Sequence, residues 1–529
     1  MAHNRPRGGP PAPQKPTLDG LPEHLLQIIV EMIYEDSQRF VPIDRREFLS
    51  IESFPPVPPD TSTLSSFRLV CTQFSELGLP YQFGRVTTRF SWQGFQRLDK
   101  ISSCSRAAKC TRRFIYMVPY FFVEGRQQLT ELFQQHRPRN ISPNETNTLH
   151  VRNEHQRALV SSRDDVRSLT RAFKAFTALQ HVQLNPVLDT AMVHLLNFLE
   201  NGQIQAGGLG HLVQLKWAPA CRHGLYSLGQ ALATSDSKCN KISIPAMDQE
   251  AALALCSTRV PPLSTFAHNL TSLILQFATA DAESLSRLTP YFGRFLSRTT
   301  NLEAIHIGFP MSQPLDVRLE DVFHGIKWPR LRALGIQAWR LAPQEIIGIA
   351  RRHRKTLRGL RLREVLLKEG RWSDILQMLR NEMGLLEWVS LRRIDYASHF
   401  DNVQAGQGFE IGDEDDEPDH QAFGLMNIDA SSSDEENDAE SEGQGDDEAP
   451  AVAGEGEGSG DDSGVSNEGS DHNPVADQLD LPLSSGSTAA RPLEPSSASA
   501  NGLGDNGVAV AGRQTTKAWE VWVTAGSAH

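Results

Sequence analysis

The chain has 529 residues, 39% of them hydrophobic and 22% charged, enough for two or three domains but too polar for one core to absorb the whole length. Residues 1–400 hold 49 Lys and Arg against 35 Asp and Glu, whereas 401–529 hold 3 against 29, so a mildly basic body precedes a strongly acidic tail. No stretch approaches the ~18 consecutive apolar residues of a membrane-spanning helix, which points to a soluble protein with no membrane partner.

Six cysteines, Cys71, Cys104, Cys110, Cys221, Cys239 and Cys256, show neither CxxC spacing nor histidines at zinc-finger offsets. They read as reduced thiols of an intracellular chain, cytoplasmic or nuclear. Residues 1–17 are rich in Pro, Gly and basic side chains, have no apolar core of a secretory leader, and are expected to be disordered. The sequons at Asn140 and Asn144 are accordingly read as unglycosylated.

In LPEHLLQIIVEMI, Leu25, Ile28, Ile29, Met32 and Ile33 recur at helical spacing, with Pro22 in the first turn where a missing N–H is harmless. A proline-rich connection follows over 36–63. LSSFRLVCTQFSELGLP then carries Leu64, Phe67, Val70, Cys71, Phe74 and Leu77 on one stripe and predicts a second helix ending near Gly78-Leu79-Pro80. GRVTTRF leads into residues 91–178, read as a helical connecting region with a helix at Trp92–Ser103, a strand in FIYMVPYFF and a helix before Phe176.

Beyond it an L-x-x-L-x-L pattern recurs: Leu179/Val182/Leu184, Leu212/Leu215/Trp217, Cys239/Ile242/Ile244, Leu270/Leu273/Leu275, Leu302/Ile305/Ile307, Leu331/Leu334/Ile336, Leu357/Leu360/Leu362 and Leu386/Val389/Leu391. Helical patterns lie between the triplets, such as DTAMVHLLNFLE and WSDILQMLRNEM. A strand and a helix every ~26–33 residues is the unit of a leucine-rich-repeat solenoid, here over 179–400, in which stacked units share one core. Strand alternation sends the residues between the core positions to the opposite, concave side. That row comprises Gln183, Asn185, Lys216, Ser243, Ile274, Gln276, His306, Gln337, Arg361, Arg363, Ser390 and Arg392. Of these Gln183, Lys216, Gln276, His306, Gln337, Arg361, Arg363 and Arg392 are the candidate target-binding residues. The basic end favours carboxylate or phosphate partners, including the chain's own tail, whose removal over 406–512 is expected to strengthen binding of an acidic partner.

Residues 401–512 are expected to be a disordered acidic tail, with Ser431, Ser432 and Ser433 suited to an acid-directed kinase. The apolar segment 513–529, with Trp519, Val521, Trp522 and Val523, alternates like a strand that could pair with a sheet edge or another protein. GxxxxGK[ST], GxGxxG, GxSxG and HExxH are absent, so no catalysis, cofactor or metal is expected. DEDDEPD has Pro418 where a calcium loop turns on Gly. RRHRKTLRGLRLRE is basic but lacks stacking aromatics, which argues against nucleic acid.

Leu21-Pro22 with Leu25-Leu26-x-x-Ile29, then Phe67-Arg68-Leu69-Val70-Cys71-x-x-Phe74 and Phe83-x-x-Val86, resembles the F-box. The likeness spans 18–90, with leucine-rich repeats behind it as in many F-box proteins, notably fungal ones. The resemblance implies a small three-helix F-box and a non-catalytic substrate receptor of a Skp–cullin–F-box ubiquitin ligase. In that reading Leu21, Pro22, Leu25, Ile29, Leu69, Val70, Cys71 and Phe74 face the Skp-type adaptor, and the repeats hold an unidentified protein target. The family joins its first two helices by a few residues, whereas about 28 intervene here; closure entropy grows only logarithmically with loop length. The alternative is a repeat scaffold with a degenerate F-box, working outside any ligase and binding basic partners through the acidic tail.

Overall fold

A computed structural model describes residues 21–33, 62–123, 126–135, 141–201, 214–256, 266–278, 282–310, 314–405, 502–510 and 512–526. The expectations for 1–17, for nearly all of 36–63, for Leu212, and for the acidic stretch 406–501 with Ser431–Ser433 lie outside the described residues.

Three helices open the described chain: α1 (Glu23–Ile33), α2 (Ser62–Val70) and α3 (Thr72–Phe83). Leu26 and Val30 of α1, Leu64 and Phe67 of α2 and Phe74 of α3 form an apolar cluster of their own, with the Phe67 and Phe74 rings stacked at 4.4 Å. The single helix expected after Leu64 is two. Cys71 is extended (φ −157°, ψ 169°), its Sγ accepts the Phe74 N–H, and α3 continues through Pro80 to Phe83. Pro80 sits in the second half of α3, where its missing N–H removes one helical hydrogen bond.

The chain then enters a mixed α/β body. Its elements are β1 (Arg85–Arg89), α4 (Trp92–Ser103), α5 (Ser105–Cys110), β2 (Arg113–Pro119), β3 (Phe121–Phe122), α6 (Arg126–Gln135), α7 (Pro143–Ser162), α8 (Asp164–Ala175), β4 (His181–Val187), α9 (Thr190–Asn201), β5 (Leu215–Lys216), α10 (Trp217–Thr234), β6 (Lys241–Met247), α11 (Gln249–Cys256) and β7 (Ser272–Phe277). They continue as α12 (Ala282–Leu296), β8 (Ala304–Gly308), α13 (Leu319–Phe323), β9 (Ala333–Leu341), α14 (Pro343–Arg352), β10 (Gly359–Leu367), α15 (Trp372–Glu382), β11 (Trp388–Arg392), β12 (Asp395–Tyr396) and α16 (Ala397–Ala405), and α17 (Gly512–Ala525) closes the described chain.

Ten strands make one open sheet in the order β1-β2-β4-β6-β7-β8-β9-β10-β11, with β12 also on β10. Every pairing in it is parallel. Neighbours in space are therefore neighbours in sequence, each strand returning through a crossover that is helical in most units. The triplets explain the register. Val182, Ile242, Leu273, Ile305, Leu334, Leu360 and Val389 lie side by side in adjacent strands and belong to one continuous apolar cluster. Their leading residues, from Leu179 and Cys239 to Leu386, are at most 1% exposed. The triplet at Leu215 is the exception: β5 pairs antiparallel with β3 in a separate two-stranded ribbon, and β4 passes directly to β6.

The sheet also begins earlier than the repeats suggest. β1 and β2 join it in register, so the segment 91–178 contributes a strand, and its helices α4 and α8 bury Phe95, Leu98, Leu169 and Phe173 in the same core. A turn absent from the sequence pattern recurs at the other end. Ala338, Glu364 and Arg393 all have positive φ (58°, 51° and 48°), and each follows one of the aligned residues Gln337, Arg363 and Arg392. The left-handed residue re-aims the chain so that Trp339, Val365 and Ile394 return to the core, at a steric disadvantage of about 1–2 kcal/mol for a residue with a Cβ.

The C-terminal segment forms a helix rather than the expected strand. Trp519, Trp522 and Val523 of α17 are buried in the main cluster. The Leu391 N–H donates to Glu520 Oε1 (2.6 Å) and Arg513 donates to the Leu391 carbonyl (2.5 Å), so α17 satisfies backbone groups of the edge strand β11 that would otherwise be open to pairing. Among the described residues no helix is long and apolar enough to cross a membrane.

Candidate interaction surfaces

The helical bundle places its apolar residues unequally. Leu26, Val30, Leu64, Phe67 and Phe74 close its core, yet Leu69 is 86% exposed, Val70 67%, Ile28 49% and Leu25 39%. The exposure of Leu69 and Val70 has a local cause. Gly78 leaves room for the preceding side chain, Arg68, to cross onto α3; a Cβ there would stand 2.5 Å from Arg68 Cγ. Arg68 Nε donates to the Ser75 carbonyl (3.2 Å) and its guanidinium to Gln82, while Gln82 Nε2 donates to Ser65 Oγ (3.1 Å). With α2 clamped to α3 in this rotation, and the chain turning at Cys71, the last two residues of α2 are left pointing away from the bundle.

Of the residues expected at an adaptor surface, Pro22, Leu25, Leu69 and Val70 are exposed and Leu21, Ile29 and Cys71 are half-buried. Phe74 is not available: at 1% exposure it is the centre of the bundle. Its helical spacing placed it on the same stripe as Val70, but the break at Cys71 rotates the two apart. Ile28 joins the exposed set; its place on the α1 stripe was visible, whereas its orientation depended on how α2 and α3 pack.

The expected target row also lies on one face. Along the ladder Gln183, Ser243, Ile274, His306, Gly335, Arg361 and Ser390 stand side by side, and a second line runs through Gln276, Gly308, Gln337, Arg363 and Arg392. The face is not an open one, however. Gln183, Gln276, His306, Gln337, Arg361 and Arg363 are all at most 4% exposed, and Arg392 is half-buried. Lys216 is exposed but sits on β5, outside this sheet. A parallel sheet buried on both faces accounts for strands such as β10, in which every residue is buried. Burial lowers the His306 pKa to about 4, so its imidazole is neutral near pH 7.

A second buried polar group ties helices together. The Asp165 carboxylate on α8 accepts from Ser227 Oγ (2.6 Å) and pairs with His223 Nε2 (2.8 Å) on α10. Burial would raise the Asp165 pKa, but the bonds to His223 and Ser227 outweigh it and hold the carboxyl below its ordinary value. The serine and the histidine converge on the same carboxylate oxygen, and Asp165 and Ser227 are fully buried. This geometry braces α8 against α10 instead of presenting a nucleophile to a cleft. Among the described residues no group of three or more His, Cys, Asp or Glu side chains could hold a metal ion.

No protein-family model matches the chain, and no curated protein matches it either.

Proposed function

We propose that the chain is a non-catalytic substrate receptor of a Skp–cullin–F-box ubiquitin ligase. In this reading α1–α3 form an F-box that docks on a Skp-type adaptor, and the strand-helix units behind it are leucine-rich repeats that select the protein to be ubiquitinated. The observation that carries the reading is the exposure of Leu25, Ile28, Leu69 and Val70 on two helices of one small bundle. Fully burying an exposed Leu, Ile or Val side chain contributes about 1.5–3 kcal/mol, so covering Leu69 and Val70, and the exposed parts of Leu25 and Ile28, favours a protein partner over water. The F-box-like motif residues Leu25, Leu69 and Val70 are among them, while Leu26, Phe67 and Phe74 supply the core that holds them.

The ubiquitin-transfer chemistry would belong to partner enzymes, with the cullin reached through the adaptor. Capture of the intact chain by a purified Skp-type subunit tests the reading: binding lost in Leu69→Asp or Val70→Asp supports it. No capture of the wild-type chain would leave the scaffold alternative standing.

A further inference from the structure

Where the chain enters three adjacent strands of the sheet it carries an exposed row of cations. The entry loops of β8, β9 and β10 span 297–303, 324–332 and 353–358, and Arg298, Lys327, Arg330, Arg332, Arg354 and Lys355 on them are all exposed. Backbone bonds lace the loops side by side: the Arg332 N–H donates to the Glu303 carbonyl and the Arg358 N–H to the Arg332 carbonyl, both at 2.7 Å. Beneath them Trp328, 1% exposed, donates from Nε1 to Thr299 Oγ1 (3.1 Å) and stacks on His353 at 5.7 Å, so the three loops share one buried support.

The row is not neutralised from within. Glu303 is the only Asp or Glu in the three loops and is half-buried. Other carboxylates are taken by other arginines: Glu387 by Arg358, Glu320 by Arg352, and Glu382 by Arg351, with Arg354 farther off. None of the six cations forms an ion pair with a described residue; Arg330 donates to the Asn301 side-chain oxygen (3.5 Å). A helix C-terminus favours cations only within about its last turn. That accounts for Arg298 and Arg354, each two residues past a helix, but Arg330 and Arg332 stand seven and nine residues beyond Phe323, the end of α13.

The surroundings select the kind of anion. The loops hold no Trp, Tyr or Phe besides the buried Trp328, so bases find nothing to stack on. None of the exposed large apolar side chains of the described residues lies in them, so nothing wedges into a lipid surface. The loops enter strands about 4.8 Å apart, and alternate side chains of an extended peptide recur about every 6.8 Å, a mismatch that long Arg and Lys side chains absorb. We propose that this row is a docking site for an extended acidic segment of a partner protein, whose carboxylates pair with the guanidinium and ammonium groups. Under the receptor reading above, on which this identification rests, the partner is the target to be ubiquitinated, and it docks on the loop edge instead of the buried sheet face.

The test titrates a fluorescent peptide of alternating Glu and Ser against the full chain, followed by anisotropy. Changing Arg330, Arg332, Arg354 and Lys355 together to Gln is expected to weaken binding at least about tenfold, since each exposed pair contributes modestly and four are lost, with the thermal midpoint preserved because all four are exposed. Changing Lys100, Arg157, Lys216 and Lys517 to Gln, four exposed cations on other elements, should leave affinity within about twofold. Wild-type binding should weaken as salt rises, more steeply than that of the first variant. Absence of saturable binding, equal affinity of the wild type and the first variant, or an equal loss in the second would overturn the proposal. So would single-stranded RNA or phosphatidylserine vesicles bound through the same four residues as tightly as the peptide. The titration needs no adaptor, so its failure is read separately from failure of the adaptor capture.

Discussion

Trp522→Ala is the substitution that most sharply probes how the C-terminal segment holds the end of the sheet. Trp522 is 1% exposed, its ring lies 4.6 Å from the Arg380 guanidinium, and Arg380 also donates to the Trp522 carbonyl. Truncating a buried Trp to Ala removes about 3–5 kcal/mol, part of it the cation–π contact. An isolated helix of 14 residues is marginal in water, so α17 is held by such contacts and should open as a unit. The reporter is the Leu391 amide, which donates to Glu520 Oε1. Losing 3–5 kcal/mol from that local opening accelerates its hydrogen exchange by about 10²- to 10³-fold or more, while the Leu334 amide, in the interior strand β9, changes far less. Unchanged protection at Leu391 would refute the view that α17 is a cap whose side chains carry its docking.

Arg163 joins α7 to α8 at φ 56° and is exposed; Arg163→Gly should raise stability by about 1 kcal/mol by relieving the left-handed penalty, seen as a small upward shift in the thermal midpoint, and a fall would contradict the assignment. Burial lowers the His353 pKa to about 4, and His353 Nε2 accepts the Trp328 N–H (3.2 Å), which only the neutral ring can do. A base whose folded pKa lies below its unfolded value of about 6.5 contributes stability that is full above pH 6.5 and is lost as pH falls toward 4; urea midpoints between pH 7 and pH 5 should fall less steeply in His353→Gln than in the wild type. Asp165, held below its ordinary pKa, behaves alike at lower pH, its contribution present above about 3.9 and lost as pH falls through the folded value. Asp165→Ala should cost about 3–5 kcal/mol by leaving His223 and Ser227 without their shared acceptor, measured by chemical denaturation near pH 7; a loss under 1 kcal/mol would show that the brace is dispensable.

Much of the sheet was legible because its signal is local. Seven triplets mark strands whose core residues stand in register, and Trp92–Ser103 is a helix with the bounds the sequence suggests. What escaped depended on distant pairing. FIYMVPYFF reads as a strand, but its partner β4 begins more than sixty residues later, behind three helices, so its membership of the sheet has no sequence signature. The turns at Ala338, Glu364 and Arg393 carry no Gly or Asn to announce positive φ. Trp519, Trp522 and Val523 are spaced i, i+3, i+4, a helical signal that the alternation of Trp519, Val521 and Val523 obscured.

The exposed patch shows the same division. Its residue types were readable, while the choice of which side chains face outward followed from the break at Cys71 and the Arg68 clamp. The burial of Gln183, His306 and Arg361 likewise follows from a sheet covered on both faces, which alternation within single strands cannot reveal. The measurement that bears most directly on the central claim is the dissociation constant of the intact chain for a purified Skp-type adaptor, compared with Leu69→Asp and Val70→Asp. The account predicts stable binding by the wild type and at least about a hundredfold loss in each variant, with thermal midpoints preserved because both side chains are exposed. Absence of wild-type binding, or equal affinity in all three, would contradict it.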